Sequence, residues 1–140
     1  MAGLLHDIGR PVMDHVFKDQ YAEVIALVQG GVAASLLSAE QRVFRFDHTD
    51  IGFVVVTAWG FPPGIAKAIR VHHDPATAAN DPYLYATVSL ANSMCVKAGL
   101  GPDKQPDLDL ATLVILDLEA RVEALMAQVP DVVEQASSLN

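Results

Sequence analysis

Apolar and polar positions recur with helical rather than strand spacing over most of the chain. Met1 to Ile8 is apolar and runs into Gly9, which predicts a short helix stopping at that glycine. No cap precedes Met1, so the segment reads as the last turns of something that began earlier. Asp19 is placed to cap a helix through Tyr21, Val24, Ile25 and Val28, ended by Gly30-Gly31. Ser38 with Gln41 has capping-box spacing before Val43 and Phe44. Asp47 caps the next predicted helix, on which His48, Gly52, Val55 and Trp59 share one face. The run Val54-Val55-Val56-Thr57 favours a strand by propensity, but the wider helical spacing outweighs that weak preference.

Pro62-Pro63 forces a turn, and a helix follows from about Pro63 to His73, stopped by Pro75. Its repeat is Ile65, Ile69 and His72/His73. Asp81-Pro82 is a cap followed by a first-turn proline, and Leu84, Val88, Ala91, Cys95 and Ala98 mark one face of a helix that Gly99 stops. Gly101 to Asp107 reads as a loop. Leu108 to Leu116 and Leu118 to Val129 are predicted helices with Asp117 as the cap between them, and the tail from Asp131 extends the last. The expectation is one all-α unit over residues 1–140, without repeat or linker.

Composition narrows the setting. Hydrophobic residues are 51% of the chain, and the mean hydropathy of +0.29 is high for a soluble protein. The longest apolar-rich stretch, Ile51 to Trp59, falls far short of the ~20 residues a membrane helix needs. The hydrophobicity therefore belongs to a filled core or to an apolar face awaiting a partner. No basic region precedes an apolar N-terminal stretch, which argues against a signal peptide. A single cysteine, Cys95, excludes an internal disulfide and fits a reducing cytoplasm. The formal charge of -8 disfavours nucleic acid, and a small anionic substrate would need a local positive centre such as a metal ion.

The candidate chemistry lies in five histidines, His6, His15, His48, His72 and His73. His6 and Asp7 are adjacent, His48 opens a helix with Gly52 leaving space beside it, and His72 and His73 close another. Imidazoles and a carboxylate converging from several elements would hold a transition metal. A lone helix-terminal histidine is more often a cap, and for His15, in a polar stretch, that reading is favoured. For His6-Asp7, spacing alone leaves ligand and cap equally open.

The segment Ala2-Gly3-Leu4-Leu5-His6-Asp7-Ile8-Gly9-Arg10 resembles the signature of HD-domain proteins, in which the His-Asp pair binds metal. Phe46-Asp47-His48-Thr49-Asp50-Ile51-Gly52, then Ala58-Trp59-Gly60-Phe61-Pro62, then Ala68-Ile69-Arg70-Val71-His72-His73-Asp74-Pro75 resemble the HDOD branch of that superfamily. The resemblance implies an HD-like helical bundle and a role in bacterial signal transduction through protein interaction. Such domains often stand beside receiver, GGDEF or EAL modules. It also implies His6, Asp7, His48, His72 and His73 as metal ligands, Arg10 as a phosphate contact, and Mn, Fe, Zn or Ni as the metal. HD and HD-GYP relatives use the same framework to cut phosphoesters, cyclic dinucleotides among them.

Three departures from the catalytic pattern bear on activity. The late metal-binding aspartate aligns with Asn92, a neutral and weaker ligand. The lysine that often follows the motif is Arg10. The chain starts at the HD motif, so the usual N-terminal helical portion is expected to be missing and the chain to be a fragment. Apolar surface left bare would favour homo-oligomers. No GYP motif follows His73, which disfavours the cyclic-dinucleotide class. The leading expectation is an interaction module without catalysis. A metal-dependent phosphohydrolase, and a metal-free fold with structural histidines, are the alternatives.

Overall fold

Two helix crossings and one cap decide where the histidines meet. The computed structural model describes residues 1–77, 81–100, 103 and 110–138. They form α1 (Ala2–Leu5), α2 (Gly9–Val16), α3 (Lys18–Gln29), α4 (Leu36–Phe44), α5 (His48–Ala58), α6 (Pro63–Val71), α7 (Pro82–Lys97), α8 (Leu110–Leu116) and α9 (Val122–Ser137). A short 3-10 turn spans Pro75–Thr77, and there is no strand among the described residues. The all-α expectation is met, including the helical reading of Val54-Val56.

α5 starts where Asp47 dictates. The Asp47 carboxylate accepts from the backbone N–H groups of Thr49 (2.9 Å) and Asp50 (3.3 Å) and from the Thr49 hydroxyl (2.6 Å). The side chain of Asp50 answers by accepting from the Asp47 N–H at 3.1 Å, completing a capping box. Burial pushes the Asp47 carboxyl up, but the hydrogen bonds from Thr49 and Gln41 outweigh it and hold the group below its ordinary value. His48 is thereby fixed as the first helical residue.

α2 crosses α5 at a pair of glycines. A methyl group on Gly9 would overlap the His48 carbonyl oxygen and come within 2.9 Å of the Gly52 nitrogen. One on Gly52 would meet Ile69 Cγ2 at 2.8 Å. The two backbones touch, and this brings the turn before α2 against the start of α5. Gly9 is therefore not the helix stop that its sequence context predicts. It opens α2, because the backbone contact needs a residue without a side chain.

The core falls into three packed groups. Met13, Tyr21, Val24, Leu36 and Ala39 join α2, α3 and α4. Val56, Ala66 and Ile69 join α5 to α6, with Leu5 and Ile8 packed against them. Ala2, Ala68, Val71, Tyr85 and Val88 join α1, α6 and α7. The turn from α1 to α2 passes between these groups and carries His6 and Asp7.

Other expectations shift. The capping box of α4 is Ser35 with Ser38, three residues earlier than Ser38 with Gln41, because Leu36 must be helical to reach the core. Asp19 lies in the first turn of α3 rather than at its cap, which is Phe17. Val56 rather than Val55 is the buried valine of α5, and Trp59 is exposed. α7 buries Tyr85, Ala86, Val88, Ser89, Leu90 and Ser93, whereas Ala91, Cys95 and Ala98 are exposed. Asp81 does cap α7, and Gly99 ends its turn at a φ of 77°. Asp117 closes α8 in a left-handed conformation (φ 54°), and α9 begins later, at Val122. The expected loop Gly101 to Asp107, apart from Asp103, and the predicted helix start at Leu108 lie outside the described residues.

Candidate metal centre

Asp7, His48, His72 and His73 come together from three elements: the α1–α2 turn, the first residue of α5 and the end of α6. One donor atom of each lies within 4.8 Å of every other. The Nε2 atoms of His48 and His73 are 3.1 Å apart. Asp7 Oδ1 is 3.3 Å from His48 Nε2 and 3.5 Å from His72 Nε2. Bonds of about 2.0–2.2 Å to a tetrahedral ion place neighbouring donors ~3.3 Å apart, so these spacings suit one cation.

Each imidazole is oriented from behind. His48 Nδ1 donates to Glu40 Oε2 at 2.6 Å, and the His48 backbone N–H donates to the same oxygen at 2.9 Å. Glu40 is fully buried, and its other oxygen accepts from the Tyr21 hydroxyl at 3.0 Å. Burial and the Glu40 charge push the Tyr21 phenol above its ordinary value, so it stays a donor. His72 Nδ1 donates to the Ile69 carbonyl at 2.8 Å. With Nδ1 carrying the proton, the Nε2 atoms of His48 and His72 present bare lone pairs to the cluster.

His72 Nε2 and Asp7 Oδ1 are both buried without a hydrogen-bond partner. Two electron-rich atoms facing each other at 3.5 Å need something positive between them. Burial, together with the neighbouring histidines, holds His72 and His73 below the ordinary imidazole value, so neither supplies that charge as a proton near neutrality. Burial raises the Asp7 carboxyl, but His72, Arg10, His6 and His48 together outweigh it and hold Asp7 well below the ordinary carboxylate range. Anionic Asp7 with neutral His72 and His73 is the protonation state that a divalent metal requires. The residues present fit such an ion.

His6 sits beside this group rather than in it. Its Nδ1 is 2.7 Å from the Gly3 carbonyl oxygen, and its Nε2 is 3.3 Å from Asn92 Oδ1 and 3.5 Å from Asp7 Oδ2. The Asn92 side chain thus lies beside His6. Arg10 is engaged from both sides: Nη1 lies 2.8 Å from Asp7 Oδ2 and Nη2 lies 2.8 Å from Asp103 Oδ2. His15 is exposed on α2, away from the cluster.

Two contributors escape a reading of the sequence. Glu40 lies on the apolar stripe Leu36, Ala39, Glu40, Val43 of α4, and a charge at a core position is the signal that marks it. Asp103 carries no signal, since it stands in a polar, proline-containing stretch of sequence.

No curated protein matches the sequence. A solved structure, an HDOD domain protein with unknown function from Geobacter sulfurreducens, is similar with a TM-score of 0.71 and 23% sequence identity. The alignment covers 91% of this chain and 51% of that one, so this chain spans about half the length of its neighbour. At that identity the likeness speaks for the fold. The family profile of the HDOD domain matches residues 1–75, which hold His6, Asp7, His48, His72 and His73. More than half of the sequence thus carries the family's pattern, and the chain belongs to the HDOD family.

Proposed function

We propose that this chain is a metal-holding HDOD module that acts in signal transduction by protein interaction, without catalysis of its own. The observation that carries the reading is the shell of four protein donors, Asp7, His48, His72 and His73, around one point. Four protein ligands fill a tetrahedral ion, and closed shells of that kind are structural, whereas catalytic sites keep a position open. Such an ion would pin the α1–α2 turn to the ends of α5 and α6, and so fix the surfaces those helices present.

Two further features support the same reading. Asn92 offers a neutral amide where a carboxylate would add charge, and Arg10 is already paired with two carboxylates. Apolar side chains such as Leu4, Val54, Trp59 and Tyr83 stand exposed, as a protein partner, a companion signalling domain or a second copy would use. Among the described residues no helix is long and apolar enough to cross a membrane. With the formal charge of -8, our reading is a cytoplasmic bacterial protein that engages neither membrane nor nucleic acid, with a single HDOD domain over residues 1–140.

A second reading keeps a phosphohydrolase. A six-coordinate Mn, Fe or Ni ion on the same four donors would leave two positions open. A bound ion of that kind supplies Lewis acidity and a nucleophile from water. Elemental analysis of protein purified without chelator, paired with turnover of an activated phosphodiester, decides between them. Stoichiometric metal with no turnover supports the interaction module. Metal-dependent turnover that is lost in His72→Ala overturns it.

A further inference from the structure

The contacts around Arg10 close a ring. The Leu36 N–H, in the first turn of α4, donates to Asp103 Oδ1 at 2.9 Å. Asp103 Oδ2 accepts from Arg10 Nη2 at 2.8 Å, and Arg10 Nη1 pairs with Asp7 Oδ2 at 2.8 Å. Asp7 Oδ1 faces His48 Nε2 at 3.3 Å, His48 Nδ1 donates to Glu40, and Glu40 lies one turn along α4 from Leu36. α4 therefore reaches the centre twice, once through Glu40 and once through Asp103 and Arg10. Both ion-paired side chains are shielded, with 13% of Arg10 and 9% of Asp103 exposed.

Arg10 poses a problem for a cation site. A guanidinium 2.8 Å from a ligand carboxylate repels the incoming ion and competes for Asp7. Asp103 answers both difficulties. Its charge cancels that of Arg10, and its bond to Nη2 turns the guanidinium so that Nη1 alone meets Asp7, on Oδ2 rather than on the Oδ1 that faces His48 and His72. Asp7, Glu40 and Asp103 then carry three negative charges against the one positive charge of Arg10. The remainder matches a divalent cation.

We propose that Asp103 is a positioning residue of the metal centre, acting through Arg10 to leave Asp7 Oδ1 free for a divalent ion. It links the segment after α7 to metal occupancy, and by reciprocity the metal strengthens the contact of Asp103 with Arg10 and Leu36. The inference rests on the metal-holding reading above.

Zn²⁺ titration calorimetry on the full chain and its variants tests it. Asp103→Asn, which keeps an acceptor for the Leu36 N–H but loses the charge, is expected to bind Zn²⁺ about 10-fold more weakly, the scale of outer partners of metal ligands. Asp103→Glu is expected to recover most of the affinity. In an Arg10→Ala background the Asn substitution is expected to cost far less, because the route runs through Arg10. Wild-type protein alone gives a second readout: amide exchange at Leu36 is expected to slow about 10-fold on Zn²⁺ binding. Equal affinity of Asp103→Asn and wild type, an equal loss with and without Arg10, or Leu36 exchange that ignores Zn²⁺ overturns the role of Asp103 and leaves the metal site standing. Wild-type protein that takes up no Zn²⁺ overturns both.

Discussion

Replacing Glu40 by glutamine separates the fold from the centre. Glu40 is wholly buried and accepts three hydrogen bonds, from His48 Nδ1 at 2.6 Å, the His48 N–H at 2.9 Å and the Tyr21 hydroxyl at 3.0 Å. A glutamine has the same shape. Its carbonyl oxygen accepts both His48 groups, and its amide donates to the oxygen of a rotated Tyr21 hydroxyl, so each of the three contacts keeps a donor and an acceptor. What is lost is the charge behind His48. A charge-assisted hydrogen bond is about twice as strong as a neutral one, so Glu40→Gln is expected to cost about 1 kcal/mol of folding stability. Metal affinity is expected to fall about 10-fold, since the carboxylate both fixes the ring and raises its basicity. Glu40→Ala differs in kind, because it leaves three buried donors unpaired at ~1–3 kcal/mol each and is expected to unfold the chain or come close. Urea denaturation of metal-free protein gives the first number and Zn²⁺ calorimetry the second. Glu40→Gln with wild-type Zn²⁺ affinity, or with a stability loss as large as that of Glu40→Ala, refutes the reasoning.

Three other outcomes follow from the same geometry. Gly9→Ala drives a methyl group into the His48 carbonyl and is expected to cost about 3 kcal/mol by parting α2 from α5, read as a lowered midpoint in thermal melts. His15→Ala is expected to leave metal affinity unchanged, because His15 is exposed outside the cluster. Metal-free protein is expected to lose stability as pH falls from 7 to 5. His72 and His73 bind protons near 6.5 when unfolded and only at lower pH when folded, so the unfolded chain gains protons first. Burial makes His72 a full contributor to that loss, whereas the share of the more exposed His73 is reduced by solvent screening. Urea midpoints across that range check the sign.

The helices were legible because their caps and breakers are local. Asp47, Asp81-Pro82 and Gly99 each act on the next few residues, and each does what its type predicts. Gly9 misleads for a physical reason: as a stop it would obey a local rule, but its role is set by His48 and Gly52, which lie in another helix. The same contrast runs through the site. His6-Asp7, His48 and His72-His73 stand out as residue types, yet the sequence offers no means of separating His6, turned toward Gly3 and Asn92, from the four that share one point. Glu40 went unread although it stands as a charge on an apolar stripe. Asp103 could not be read, because its partners, Arg10 and Leu36, lie far away along the chain and nothing in its own neighbourhood marks it.

X-ray absorption at the metal edge, on protein purified without chelator, tests the central claim most directly. The account predicts about one divalent ion per chain with a first shell of three imidazole nitrogens and one carboxylate oxygen, and an altered shell in His72→Ala. Protein that carries no transition metal, or an ion whose shell is unchanged in His72→Ala, contradicts it.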